Sequence, residues 1–191
     1  TDMDVVLRLL YDLETFNIDR NWIELRDIVL YKSDKIPKIK LVDKSRRSGK
    51  TLLAKIIALY ELYRLTFRSH VKRLAKKFGI KVSDNFSVVI YSHDWRMNPS
   101  SDLIKMIQDT KSLDENNFYM YLHNRSCTLS INGNDNHIPV LVLLDEHNLM
   151  SDREINSIMR ANMGAEFIFI GTNQTAETKL RNDKELANKG K

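Results

Sequence analysis

The chain has 191 residues, and its 42% hydrophobic and 29% charged composition, with 6 Gly and 3 Pro, excludes a low-complexity or disordered chain and suits one domain with a buried core. Its 30 Lys+Arg against 25 Asp+Glu leave a net charge of +5, a mild excess that permits a polyanionic partner without demanding one. The single cysteine, Cys127, rules out a disulfide framework and a cysteine-based zinc site, and no apolar run approaches the ~20 residues of a membrane helix.

A reducing compartment is the simpler expectation, and the first residues lack a signal-peptide pattern. The start at Thr1 rather than Met suggests a longer natural protein.

In chain order, residues 1–35 predict a helical segment packed on the core: Val5, Val6, Leu9 and Leu10, then Trp22, Leu25, Ile28 and Val29, recur at helical spacing. Pro37 punctuates, and residues 38–42 alternate and then run apolar, as a strand entering a core would. A polar turn over residues 43–49 leads to a long helical stretch, 50–78, with room for an internal break and a stop at Gly79. A second apolar strand is predicted over 86–92, and Pro99-Ser100-Ser101 opens a helix to about 111. Segments 118–122 and 127–131 alternate as strands do, and residues 132–136 have turn chemistry. The most apolar strand, 140–144, ends on Asp145-Glu146. A short helix (152–163) then leads to strand 167–170, which stops at Gly171-Thr172-Asn173-Gln174 before a polar tail.

Buried strand runs separated by helices predict an α/β fold with a mainly parallel sheet and helices on both faces. The division expected is a helical segment at 1–35, a core at 36–175 and a polar tail or linker at 176–191. Ligands in such folds sit at the carboxyl ends of the strands. Three of those ends carry polar motifs.

The first is Ser45-Arg46-Arg47-Ser48-Gly49-Lys50-Thr51. In a phosphate-binding loop, backbone N–H groups and a helix N-terminus cradle the phosphates, the lysine reaches the β- and γ-phosphates, and the Ser/Thr hydroxyl holds Mg²⁺. Lys50 and Thr51 have the types and spacing for these tasks, and Gly49 allows close backbone approach. Lys44 stands where the G-x-x-x-x-G-K-[ST] pattern has its first glycine. Arg46 and Arg47 lie inside the loop, where an arginine can stabilise developing γ-phosphate charge in cis or in trans, or bind a structural carboxylate.

The second is Asp145-Glu146, read as Mg²⁺ ligand and general base respectively. The third is Gly171, Thr172 and Asn173, which could contact the γ-phosphate or attacking water and report hydrolysis. The plainer reading of this third motif is a strand-to-loop turn with Gly171 in a special backbone conformation.

Between residues 64 and 81 stand Arg64, Arg68, Lys72, Arg73, Lys76, Lys77 and Lys81, with no acid between Glu61 and Asp84. Such a run can track a phosphate backbone or simply be solvated. The histidines show no metal-ligand spacing, and only His147, beside Glu146, is placed near chemistry. No G-x-S-x-G nucleophile elbow exists.

Taken together, the residue 45–51 loop, Leu143-Leu144-Asp145-Glu146 and Gly171-Thr172 resemble the ATPase domain of viral large terminase subunits, the motors that package double-stranded DNA into capsids. Residues 126–136 also resemble the family's segment before its acidic motif, and the similarity spans about 16–175. The resemblance implies a P-loop, RecA-like fold that binds ATP and Mg²⁺. It assigns Arg46 as the loop arginine, Lys50 and Thr51 to phosphate and metal, Asp145 to the metal and Glu146 to catalysis, and it makes Gly171, Thr172 and Asn173 the coupling motif. It implies double-stranded DNA, a portal protein and a small terminase subunit as partners, a homo-oligomeric ring on the portal, and the host-cell cytoplasm. The family's adenine-reading Gln is missing: Ile23 follows Trp22, which is placed near the base, and no Gln precedes Gln108. The family's nuclease has no counterpart before Lys191. The rival readings are another nucleic-acid-dependent ATPase, such as a helicase, and a nucleotide-binding module that does not hydrolyse.

Overall fold

The structure, a computed structural model, describes residues 39–44, 50–81, 85–93, 118–123, 125–131, 133 and 136–172. For residues 40–44, 50–53 and 172 the description is of the backbone. The expected helices at 1–35 and 100–111, and the tail at 176–191, lie outside the described residues.

The elements in chain order are β1 (Ile39–Lys44), α1 (Lys50–Arg64), α2 (Arg68–Phe78), β2 (Phe86–Ser92), β3 (Tyr119–His123), β4 (Ser126–Ser130), β5 (Ile138–Asp145), a 3₁₀ turn (His147–Leu149), α3 (Asp152–Ala161) and β6 (Glu166–Thr172). Among the described residues the strands form one six-stranded sheet in the order β1-β6-β5-β2-β4-β3. The β1–β6, β6–β5 and β5–β2 pairs are parallel, whereas β4 runs antiparallel to both β2 and β3. The sheet is therefore mixed, and β4 alone opposes the common direction.

The long helical stretch breaks as its length suggested. α1 is rich in Leu, Ile and Ala, strong helix formers or compatible with one. It is buried nearly all round from Ala54 to Tyr63, the signature of a helix inside a core. It ends where Thr66 and Phe67 N–H groups bond carbonyls three residues back (Tyr63 and Arg64, 3.1 and 3.0 Å), tightening the last turn. The Thr66 hydroxyl also donates to the Tyr63 carbonyl at 2.6 Å. α2 then stops at Gly79, whose left-handed φ of 66° allows Gly79 N–H to bond Lys76 O and Ile80 N–H to bond Ala75 O.

Period-two alternation sorts each central strand onto two faces. Val88, Ile90, Leu141, Leu143, Ile168 and Ile170 pack with α1 and with Val71 and Ala75 of α2. Val89, Val142, Leu144, Phe167 and Phe169 pack with Met150 and Ile158, joined by Ile155 and Met159 of α3. Helices thus cover both faces. Each large side chain removed from water in this way contributes roughly 1.5–3 kcal/mol.

β5 begins two residues earlier than its aliphatic run, at Ile138, and includes Pro139. Its pairing with β2 shifts register between Ser87 and Val88, which face Pro139 and Leu141. This irregularity accommodates a residue that lacks an N–H donor. Among the described residues, no helix is long and apolar enough to cross a membrane.

Candidate functional site

Because β1, β6, β5 and β2 run parallel, their carboxyl ends share one edge of the sheet. Asp43 pairs with Gly171 and Lys44 with Thr172; Asp145 is level with Ile170 on one side and with Ser92 on the other. The end of β1 and the end of β5 are separated only by β6, a distance of about 10 Å at normal strand spacing. α1 opens at Lys50, six residues beyond the end of β1, with Thr51 in its first turn. Free backbone N–H groups of a helix's first turn, with its dipole, favour an anion.

Asp145 is a buried carboxylate, 6% exposed, on the last position of β5. Ser92, its register partner, is also buried, and its hydroxyl has no hydrogen-bond partner among the described residues. Glu146 follows in the left-handed region, φ 56° and ψ 43°, and among the described residues it is the one non-glycine with positive φ. That backbone costs an L-residue roughly 1–2 kcal/mol, and such outliers gather at functional sites. The turn it enters is closed by Leu149 N–H to Glu146 O and Met150 N–H to His147 O, both 3.0 Å. Ser151 then caps α3 by accepting from Glu154 N–H at 3.2 Å, with Asp152 and Glu154 in the first turn.

This turn is fastened to β6. The His147 ring meets Phe169 edge-on, with centroids 5.6 Å apart and planes at 73°. A Cβ at Gly171 would lie 2.6 Å from His147 Nε2 and 2.8 Å from Asn148 Oδ1. Gly171 does not have positive φ. The expectation of a special backbone conformation there is corrected: the glycine leaves room for the His147 ring and the Asn148 amide, which a Cβ would push aside. The backbone therefore sets the ends of β1, β6 and β5 side by side, with the Asp145-Glu146 turn and Gly171-Thr172 on two of them and α1 opening six residues beyond the third. Trp22, Ser45, Arg46, Arg47, Ser48, Gly49 and Asn173 lie outside the described residues.

A carboxylate and a hydroxyl buried at one strand edge form a hard-oxygen environment suited to a small divalent cation. Groups of three or more His, Cys, Asp or Glu that could hold a metal are absent among the described residues. Mg²⁺ shared with phosphate oxygens and water needs fewer protein ligands than that.

Two further clusters escape sequence reasoning. A cleft of about 1000 Å³ at the carboxyl edge is lined by Tyr91, His123, Arg125, Ser151, Arg153 and Glu154, among others. Arg125 and Glu154 pair across it at 2.8 Å. Asp145 and Glu146 do not line it, and no motif in the sequence marks it.

The second cluster joins α1 to α2. His70 Nε2 lies 2.8 Å from Glu61 Oε1, and Arg64 donates to Glu61 Oε2 at 3.1 Å. Guanidinium nitrogens of Arg64 and Arg73 each lie 3.3 Å from His70 Nδ1. Arginine only donates, so Nδ1 accepts and Nε2 carries the proton given to Glu61. Burial by itself raises the Glu61 pKa, but the hydrogen bond from His70 and the nearby positive charges of Arg64 and Lys77 outweigh it and hold the carboxyl below its ordinary range. Arg64, half-buried, and Arg73, exposed, are thus both engaged by groups of the molecule itself.

Comparison of the chain with protein-family models, with curated proteins and with solved structures found no match.

Proposed function

We propose that the chain is the Mg²⁺-dependent ATPase domain of a terminase-like motor for double-stranded DNA, built on a P-loop, RecA-like core. One observation carries the reading. The three motifs chosen separately along the sequence end on adjacent parallel strands, β1, β6 and β5, at a single edge. Parallel order alone puts strand ends on one edge; what supports the reading is that three neighbouring ends each carry residue types that phosphate and metal chemistry uses.

In this reading, backbone amides of the loop and the first turn of α1 bind the triphosphate, Lys50 neutralises its terminal charge, and Arg46 or Arg47 contacts the γ-phosphate. Asp145 and Thr51 would hold the metal, which supplies charge neutralisation to the β- and γ-phosphates. Glu146 orients and deprotonates the attacking water. The strained backbone of Glu146 supports a functional rather than a merely solvated acid at this position. By resemblance, Trp22 would serve the base, and Thr172 and Asn173 would transmit the state of the γ-phosphate. The portal, the small terminase subunit and a ring of copies in the host-cell cytoplasm complete the proposal by resemblance.

Mg²⁺-dependent binding of a fluorescent ATP analogue tests the reading. Lys50→Ala should weaken it at least ~10-fold, the loss of one charge-assisted phosphate contact. Binding unchanged by that substitution would contradict the site.

A further inference from the structure

The basic run divides into two sets once the helices are placed. Arg64 and Arg73 turn toward Glu61 and His70, and Lys77 pairs with Glu166 at 3.5 Å and lies over the Phe78 ring. Arg68, Lys72 and Lys76 are all exposed, stand four residues apart on α2, and have no ion-pair partner among the described residues; Lys81 continues them beyond the Gly79 cap. Residues at i, i+4 and i+8 share one helix face, so these cations form a stripe with about 6 Å between neighbours. Like charges at this spacing destabilise a helix, and no acid interrupts them.

We propose that this stripe, Arg68-Lys72-Lys76 with Lys81, grips the phosphate backbone of a double-stranded nucleic acid without reading its bases. A straight helix holding three cations over about 12 Å matches the several phosphates that one strand of a duplex presents over that length. The stripe itself carries no aromatic residue, and the exposed Phe67 just before it has its ring engaged edge-on with Tyr63 at 5.2 Å, which disfavours a single strand stacked along the stripe. An anionic membrane is disfavoured too, because α2 buries its apolar face, Val71 and Ala75, in the core and has no free stripe to insert.

The surface is remote from the candidate nucleotide edge. Phe78 packs on Phe86 at 5.8 Å and Lys77 pairs with Glu166, and these partners are the first residues of β2 and β6. The end of α2 therefore sits at the amino edge of the sheet, opposite Asp145. The inference stands on charge and placement and does not depend on ATP hydrolysis.

The test is nucleotide-free binding of the chain to a 30-base-pair DNA duplex across a salt series. The variants are Arg68→Gln/Lys72→Gln/Lys76→Gln, Arg68→Gln/Lys72→Gln and, as a two-charge control on α3, Arg153→Gln/Arg160→Gln. Each lost phosphate contact lowers the slope of log affinity against log salt by about 0.9, so the triple α2 variant should lose about 2.7 and bind at least ~10-fold more weakly at physiological salt. The control should keep more of its slope than the double α2 variant does. Circular dichroism and thermal melting confirm that the variants are folded, and ATP-analogue binding should be unchanged in the α2 variants. The proposal is overturned if the wild-type chain binds no duplex at low salt, if the α2 variants keep their slope, or if single strands or phosphatidylserine vesicles depend on the stripe more than the duplex does. Duplex binding through α2 without ATPase activity would leave this surface standing and remove the motor reading instead.

Discussion

His147 closes over Gly171: a methyl group on that α-carbon would meet the imidazole Nε2 at 2.6 Å. The contact ties the turn that carries Glu146 to the strand end that carries Thr172, and Phe169 leaves the ring little room to swing away. Gly171→Ala should destabilise the fold by about 1–3 kcal/mol, the usual range for overpacking. It should lower ATP hydrolysis more than nucleotide binding, because the displaced turn is the one that carries the proposed base, Glu146. Denaturant unfolding and paired binding and turnover assays would check both, and an alanine variant as stable and active as the parent would refute the coupling.

Glu61 links stability to pH. Its carboxyl ionises more readily when folded than its ordinary value of 4.5. Its contribution is therefore fully present above that value and fades as pH falls through the lower folded-state pKa. Thermal melting below pH 4.5 should show a steeper loss in the parent than in Glu61→Gln. At neutral pH, Glu61→Ala should cost about 3–5 kcal/mol, as breaking a buried pair does. Equal acid sensitivity in parent and variant would show that the network contributes nothing.

Cys127 is fully buried in β4, and burial pushes its thiol pKa up to about 12. The thiolate is the reactive form, so the folded chain should resist alkylation by iodoacetamide at pH 8. Labelling should appear only at the rate of unfolding. Rapid modification of the native protein would place Cys127 elsewhere.

The left-handed backbone of Glu146 predicts a trade between stability and activity. Relative to Glu146→Ala, Glu146→Gly removes the Cβ clash and should stabilise the fold by up to about 1 kcal/mol, offset in part by glycine's entropy in the unfolded chain. The same change should abolish hydrolysis. A loss of stability on substitution would mean that the Glu146 side chain holds the turn in place.

Much of the sheet was legible because strands buried on both faces are continuous aliphatic runs, as in β2 and β5. The break in the long helix and its stop at Gly79 followed from length and glycine chemistry. Pro139 was not read as part of a strand, since only the local register shift makes room for it. The convergence of three motif ends was an expectation that depended on strand order, which a linear sequence does not contain. Division of the basic run was hidden for a related reason. Whether Arg64 or Arg68 faces the interior depends on where α1 breaks, and the Glu61–His70 bond spans that break. The steric role of Gly171 arises from His147, 24 positions earlier in the chain but adjacent in space.

The central claim is that Glu146 activates water against a triphosphate held by Lys50 and Thr51. Single-turnover release of γ-phosphate from ATP with Mg²⁺, at high protein concentration and with duplex DNA present, tests it most directly. Glu146→Gln is predicted to bind the nucleotide as the parent does and to lower the release rate at least ~100-fold, the lower range for loss of a general base. Release by the variant at the parental rate, or no Mg²⁺-dependent release by the parent, would contradict it.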